Sequence, residues 1–162
     1  MPRRCRWPNS NAAASVALIL PESGPLAQAA QAVRDGVFAA YFADREARPA
    51  LKVYRAGGTV EETIAVYRKA VEEGADRVLG PMDRESVTAL FQSNVVTVPT
   101  LTLNYADAPA LPPPGSLQFA LLPEEEAAGV AERLHQRGLT RALVLVPNDE
   151  FGARSAAAFG ER

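Results

Sequence analysis

A parallel-sheet α/β fold, three layers deep with helices on both faces, is what this sequence predicts, on three observations. Apolar runs short enough to be strands recur at residues 16–20, 51–54, 77–80 and 95–103. Amphipathic stretches of helical length separate them. Turn-forming residues punctuate the joins, with Gly80-Pro81 closing the third run. Strands joined through helices must run parallel, because each reversal of the chain passes through a helix packed on the sheet. Ligands and partners of such a sheet meet the loops beyond the carboxyl ends of its strands. Those loops are residues 21–26, 56–59, 81–84, 104–107 and 147–151.

The first run, Ser-Val-Ala-Leu-Ile-Leu over 15–20, is apolar without alternation, as expected of a strand buried on both faces. Pro21-Glu22-Ser23-Gly24-Pro25 stops it. A helix is expected over 26–44, with Leu26, Ala30, Val33, Val37 and Tyr41 along one side. Residues 50–54 are the second strand, broken by Gly57-Gly58. Thr59 and Glu62 have the spacing of a capping box, so a helix should start there and present Val60, Ile64, Tyr67 and Val71 as its stripe. Gly74 sits where a left-handed residue ends such a helix. Residues 76–80 are the third strand, and Asp83 can cap a short helix whose inner face is Val87, Leu90 and Phe91. Residues 95–103 are the fourth strand, where Pro99 implies a bulge or an edge. Pro109, Pro112, Pro113 and Pro114 leave 105–115 as a loop.

A change of unit follows. Residues 116–121 can form a strand that closes the first lobe, taken as 16–121. Pro123 at the first helical position, with Glu124, Glu125 and Glu126 in the first turn, opens a helix over 124–136. Its stripe is Ala127, Val130, Ala131 and Leu134, and Gly138 ends it. Residues 141–146 are patterned as another buried strand, 147–150 as a turn, and a helix begins at 152. A strand buried on both faces needs neighbours that this chain does not supply. Residues 122–162 are therefore expected to be the truncated start of a second lobe, with Leu143, Val144 and Leu145 more exposed than their composition warrants. Residues 1–15, basic and then rich in Asn, Ala and Ser, read as a disordered leader or linker.

Composition excludes several function classes. With 48% hydrophobic and 22% charged residues, the chain of 162 can build a core under a soluble surface. A net charge of −2 offers no basic face for nucleic acid, and residues 1–15 are too short for a helix-turn-helix. No apolar run approaches the roughly 20 residues that span a bilayer. Cys5 is the only cysteine, so no internal disulfide exists, and Arg3-Arg4 before it are incompatible with a lipid attachment site. His135, the only histidine, has no partners at metal-ligand spacing. Gly57-Gly58 matches neither phosphate-binding glycine pattern, so no nucleotide cofactor is expected. Ser23 sits in Glu22-Ser23-Gly24 rather than G-x-S-x-G, and no histidine is placed to activate it. The expectation is a protein without catalytic residues, metal or cofactor.

The order of the pieces resembles a known family. Val16-Ala17-Leu18-Ile19-Leu20-Pro21-Glu22-Ser23-Gly24-Pro25-Leu26-Ala27 and Gln31-Ala32-Val33-Arg34-Asp35-Gly36 are similar to the opening of type I periplasmic binding proteins. So are Val78-Leu79-Gly80-Pro81, Val98-Pro99-Thr100-Leu101-Thr102-Leu103-Asn104 and Arg141-Ala142-Leu143-Val144-Leu145-Val146-Pro147. Three details resemble the LppC/LpoA group of penicillin-binding protein activators within that superfamily. These are Gly80-Pro81-Met82-Asp83-Arg84-Glu85-Ser86-Val87, Leu103-Asn104, and Gln118-Phe119 followed by Pro123-Glu124-Glu125-Glu126-Ala127. The resemblance covers about residue 16 onward and implies an outer-membrane lipoprotein of the Gram-negative periplasm. Such a protein stimulates a class A penicillin-binding protein, a peptidoglycan synthase, without chemistry of its own. It also implies a lipidated signal, a helical-repeat domain and a complete second lobe, none of which these residues contain.

If the family geometry holds, the cleft or partner-facing candidates are Ser23 and Gly24, Asp83 and Arg84, Asn104 and Tyr105, and Asn148 and Asp149. Each has a plainer reading. Ser23 can be a helix-entry turn and Asp83 a helix cap, with Arg84 as a surface contact. Asn104 is expected to take a left-handed turn. Charge at Asp83, Arg84 and Glu85 speaks against an amino-acid pocket, because relatives that sense amino acids carry small hydroxyl residues there. The competing function, a periplasmic solute receptor for amino acids or amides, is disfavoured on that ground.

Overall fold

The computed structural model describes residues 13–44, 48–120 and 122–161. Its centre is β1 (Ser15–Pro21), in which Ala17, Leu18 and Ile19 have no exposed surface. The unbroken apolar run expected of a two-face strand is thus realised. Its side chains alternate between two cores. Ala17 and Ile19 pack with Tyr54, Tyr67, Ala70, Val78 and Leu90, while Leu18 and Leu20 pack with Ala30, Val33, Val37, Leu51 and Val53. At roughly 25 cal/mol per Å² of apolar surface, these two clusters supply the main drive for folding.

Five parallel strands lie in the order β2-β1-β3-β4-β5. β2 (Ala50–Ala56) flanks β1 with Ser15 opposite Ala50 through Pro21 opposite Ala56. β3 (Arg77–Leu79) takes the other side with Val16 opposite Arg77. β4 (Thr100–Thr102) and β5 (Leu117–Gln118) complete the sheet. On one face lies α1 (Ala27–Ala43), and on the other lie α2 (Val60–Glu72) and α3 (Arg84–Gln92). Both expected caps form: Thr59 accepts from Glu62 N at 3.2 Å, and Asp83 Oδ1 accepts from Ser86 N at 2.8 Å.

Four expectations need correction. The buried side of α2 is Thr63, Tyr67 and Ala70, rotated from the stripe that begins at Val60 and Ile64. Thr63 can be buried because its hydroxyl donates to Thr59 O at 3.0 Å and accepts from Ser86 Oγ at 3.2 Å. The fourth strand is three residues long rather than spanning 95–103. Pro99 precedes it, accepting from Val78 N at 3.1 Å, and β4 is an interior strand with neither bulge nor edge at the proline. β5 is two residues rather than 116–121, held short by the turn in which Ser116 N donates to Pro113 O at 2.9 Å. Ser15 already belongs to β1, and Ala14 N donates to Asp76 Oδ2 at 2.8 Å, so the leader expected over 1–15 does not reach that far. Its remainder through residue 12, with Cys5, lies outside the described residues.

Backbone contacts divide the chain into two units, the second beginning at Ala120. The second holds α4 (Pro123–Gln136) and α5 (Glu150–Gly160), joined by Arg154 Nε donating to Glu124 Oε1 at 2.5 Å. On α4 only Ala131 is buried, and Val130, expected inside, is 54% exposed. Residues 141–146 pair with no strand among the described residues. Leu143 and Leu145 are each 87% exposed, so the segment has the exposure expected of it, and its reading as a buried strand is not realised here.

Gly80 and Gly74 separate two reasons for a glycine. Gly80 has φ +107°, and a Cβ there would stand 2.1 Å from Ile19 O of the central strand. Gly74 has φ +94° with open space around it. Gly74→Ala should cost about 1 kcal/mol, the left-handed backbone penalty alone. Gly80→Ala should cost at least about 2 kcal/mol more, since β1 or β3 must shift. Urea unfolding of both variants checks this, and equal losses would refute the close approach as the cause.

Candidate functional site

Because all five strands run the same way, their carboxyl ends form one rim. Ser23 and Gly24 follow β1 there, Asp83 and Arg84 follow β3, and Asn104 and Tyr105 follow β4. Hydrogen bonds tie the rim into two groups. In the first, Ser23 Oγ donates to Gly57 O at 2.7 Å, Glu22 N donates to Ala56 O at 3.0 Å, and Arg55 pairs with Glu22 at 2.7 Å. This joins the loops after β1 and β2.

The second group joins the loops after β3 and β4. Asn104 Nδ2 donates to Met82 O at 3.2 Å, and its Oδ1 accepts from Tyr105 N at 2.9 Å. Gln118 of β5 accepts from Ala106 N at 2.7 Å, and Thr88 of α3 accepts from Asp107 N at 2.9 Å. Arg84 reaches Asp107 at 3.4 Å, a half-exposed ion pair worth little on its own. Asn104 is therefore a bracket between loops and not the left-handed residue expected; Asn94, with φ +56°, takes that conformation instead. Gln118 and Thr88 were missed as rim residues, and Asp107, inside the expected loop 104–107, was not singled out. Only the placement of a polar Gln at the end of an edge strand hinted at Gln118.

Asn148 and Asp149 belong to the second unit, where Asp149 Oδ1 caps α5 by accepting from Gly152 N at 2.8 Å. Within the first unit, an open groove of about 760 Å³ runs between α1 and the edge strand β2. Leu20, Val53 and Phe38 line it, with the ion pairs Arg55–Glu22 and Arg34–Asp35 beside them. None of the candidates lines it, although Pro21 and Glu22 of the same loop as Ser23 do.

The shifted titratable groups lie elsewhere. Lys52 and Tyr54 of β2 both donate to Glu73 Oε2, Tyr54 at 2.7 Å. Glu73 stands where α2 hands the chain to β3, on the amino-end side of the sheet and away from the rim. Hydrogen bonding to Lys52, then to Tyr54, holds its carboxyl below the ordinary range. Lys52 is raised chiefly by Glu73, and Tyr54 is raised first by burial and then by Glu73. Perturbed titration often marks catalysis, but here Lys52 and Glu73 are explained by each other in an edge-strand clamp, while burial comes first for Tyr54 and for the core Tyr67, whose hydroxyl is also raised. Among the described residues no three His, Cys, Asp or Glu side chains gather as a metal site, and no helix is long and apolar enough to cross a membrane.

A parallel sheet with α1 on one face, α2 and α3 on the other, and a rim of short polar loops is the architecture of a type I periplasmic-binding-like lobe. The chain belongs to the LppC family: the model of the "LppC putative lipoprotein" family matches residues 9–162. It is 35% identical over 150 residues to the penicillin-binding protein activator LpoA of Photobacterium profundum, covering 91% of this chain and 24% of that protein. Among solved structures, full-length LpoA from Haemophilus influenzae superimposes with TM-score 0.73 at 23% identity, over 95% of this chain and 28% of that one. A Chromobacterium violaceum protein described as "a putative branched-chain amino acid ABC transporter" gives TM-score 0.75 at 34% identity, over 91% and 48%. The chain spans about a quarter of the length of the curated relatives it matches.

Linkage gives the Lys52–Tyr54–Glu73 clamp a signature at both ends of the pH scale. Glu73 has a lowered folded pKa, so its contribution is present above the unfolded carboxylate value and is lost as pH falls through the folded one. Lys52 and Tyr54 are raised, so theirs is present below their ordinary values and is lost as pH rises through the folded ones. Glu73→Gln should flatten the acid limb of a stability–pH curve and lower the Tyr54 midpoint, leaving it above the ordinary tyrosine because burial persists. Tyrosine ring NMR through an alkaline titration reads that midpoint, and an unmoved value would reject the clamp.

Proposed function

We propose that this chain is the periplasmic-binding-like portion of a non-enzymatic regulator of peptidoglycan synthesis, an activator of a class A penicillin-binding protein. Residues 16–121 form its first lobe and 122–162 begin the second. The whole protein works in the periplasm, held to the outer membrane by a lipid anchor. What supports the reading most is one observation: the chain is 35% identical to an LpoA over 150 residues, 91% of its length. The parallel sheet is common to many functions, so the sequence identity rather than the fold carries the argument.

Activation of a synthase needs no chemistry from the regulator. It needs tighter binding to the synthase's active conformation than to its resting one, since equal affinity shifts nothing. A rim braced by hydrogen bonds suits that task, because a surface already ordered loses little entropy on docking. Ser23, Gly24, Asp83, Arg84, Asn104 and Tyr105 are the partner-facing candidates on the first lobe, with Asn148 and Asp149 on the second.

The test reconstitutes the full-length protein with its class A synthase and measures cross-linking of the product. Cross-linking should rise on addition of the regulator, and Arg84→Glu should weaken synthase binding about tenfold, the scale of a partner-contact charge reversal. Unchanged cross-linking, together with calorimetric binding of a free amino acid, would replace this reading with the solute receptor.

A further inference from the structure

The layer between α2 and α3 carries a buried polar contact. Thr63 of α2 and Ser86 of α3 are each 2% exposed, and Ser86 Oγ donates to Thr63 Oγ1 at 3.2 Å. Thr63 spends its own hydrogen on Thr59 O at 3.0 Å, so the bond between the helices has one fixed direction. Two other hydroxyls of α3 and its cap stay on their own helix. Thr88 Oγ1 donates to Arg84 O at 2.8 Å and Ser93 Oγ to Leu90 O at 2.7 Å. Ser86 instead reaches across to α2. One turn further along α2, the Tyr67 hydroxyl lies 2.9 Å from Thr100 Oγ1 of β4, which donates its own hydrogen to Val98 O. Tyr67 is therefore the donor, and α2 is anchored in the sheet.

α3 is nine residues long, and its apolar seat is Val87, Leu90 and Phe91. Apolar contact is non-directional, so it holds a short helix against its neighbours without choosing one rotation or depth. A hydrogen bond between two buried side chains does choose. What α3 carries makes that choice matter. Arg84 in its first turn pairs with Asp107, and Thr88 accepts from Asp107 N at 2.9 Å. α3 thus places part of the loop after β4 as well as its own amino end.

We infer that Thr63 is a positioning residue for the rim: its buried hydroxyl seats α3 on α2 and so sets where Arg84 and Asp107 stand. The inference deepens the activator reading and rests on it only in taking that rim to face a partner. Thr63 acts through α3, since it is itself too buried to meet a partner.

Amide hydrogen exchange of the full chain, followed by NMR with no synthase present, tests this, so its outcome is separate from that of the cross-linking assay. The Asp107 amide reports the seat of α3, because its acceptor is Thr88. Ser86→Ala and Thr63→Val each remove the bond between the helices and should speed exchange at Asp107 about tenfold, the scale of one hydrogen bond. Both act on the same bond, so the double variant should exchange no faster than the faster single one. Thr63→Ser keeps the hydroxyl and should exchange at the parent rate. Ser86→Ala leaves every contact of α2 with the sheet in place, so its fold should persist, which circular dichroism verifies. A merely stabilising role predicts a different pattern. The amides of Ala17, Leu18 and Ile19, wholly buried in β1, would then speed up with global unfolding, while Asp107, which opens locally, would keep the parent rate. A parent rate at Asp107 in Ser86→Ala would overturn the inference. So would a double variant whose acceleration is the product of the two single ones, or Thr63→Ser exchanging as fast as Thr63→Val.

Discussion

Complete burial of Ala17, Leu18 and Ile19 is the constraint on which the first unit rests. A strand with no exposed surface must have a neighbour on each edge and a cover on each face. β2 and β3 meet the first demand, with seven and three residues in register. α1 meets the second on one face, and α2 with α3 meets it on the other. Parallel direction follows from those helical crossings, and the single rim of loops follows from parallel direction. The position of every candidate residue on the first unit is therefore a consequence of one apolar run.

How much of this was legible depended on whether the deciding interaction was local. Thr59 and Asp83 could be read as caps because each acts on a backbone N–H three residues away. Gly74 was legible for the same reason. Thr63 was not, because its burial is made acceptable by Ser86 on another helix. The lengths of β4 and β5 were also hidden. Apolar composition at Val95, Val96 and Val98 records packing against the core, which those residues do achieve, but without forming a ladder.

The rim was legible as a place and much less as a site. Topology located the loops, whereas the work of each polar side chain depended on neighbours distant in sequence. Asn104 illustrates this. Its amide bonds Met82 O and Tyr105 N at once, using both ends of the side chain, so no unusual backbone is required. Asn94 takes the left-handed position at the end of α3, for which asparagine is equally suited. The left-handed role expected of Asn104 falls to another asparagine, and only tertiary contacts distinguish the two.

The contact between Thr63 and Ser86 has a consequence for how such a sequence changes over time. The two hydroxyls lie in a dry layer where each is the other's partner, and Thr63 also answers to Thr59 O. Replacing Thr63 alone strands the Ser86 hydroxyl away from water, whereas replacing Ser86 alone leaves Thr63 its bond to Thr59 O. The two positions are therefore coupled in one direction although 23 residues separate them. Descent should reach an apolar pair through loss of the serine first, and an intermediate that keeps the serine without the threonine is a valley between two habitable sequences.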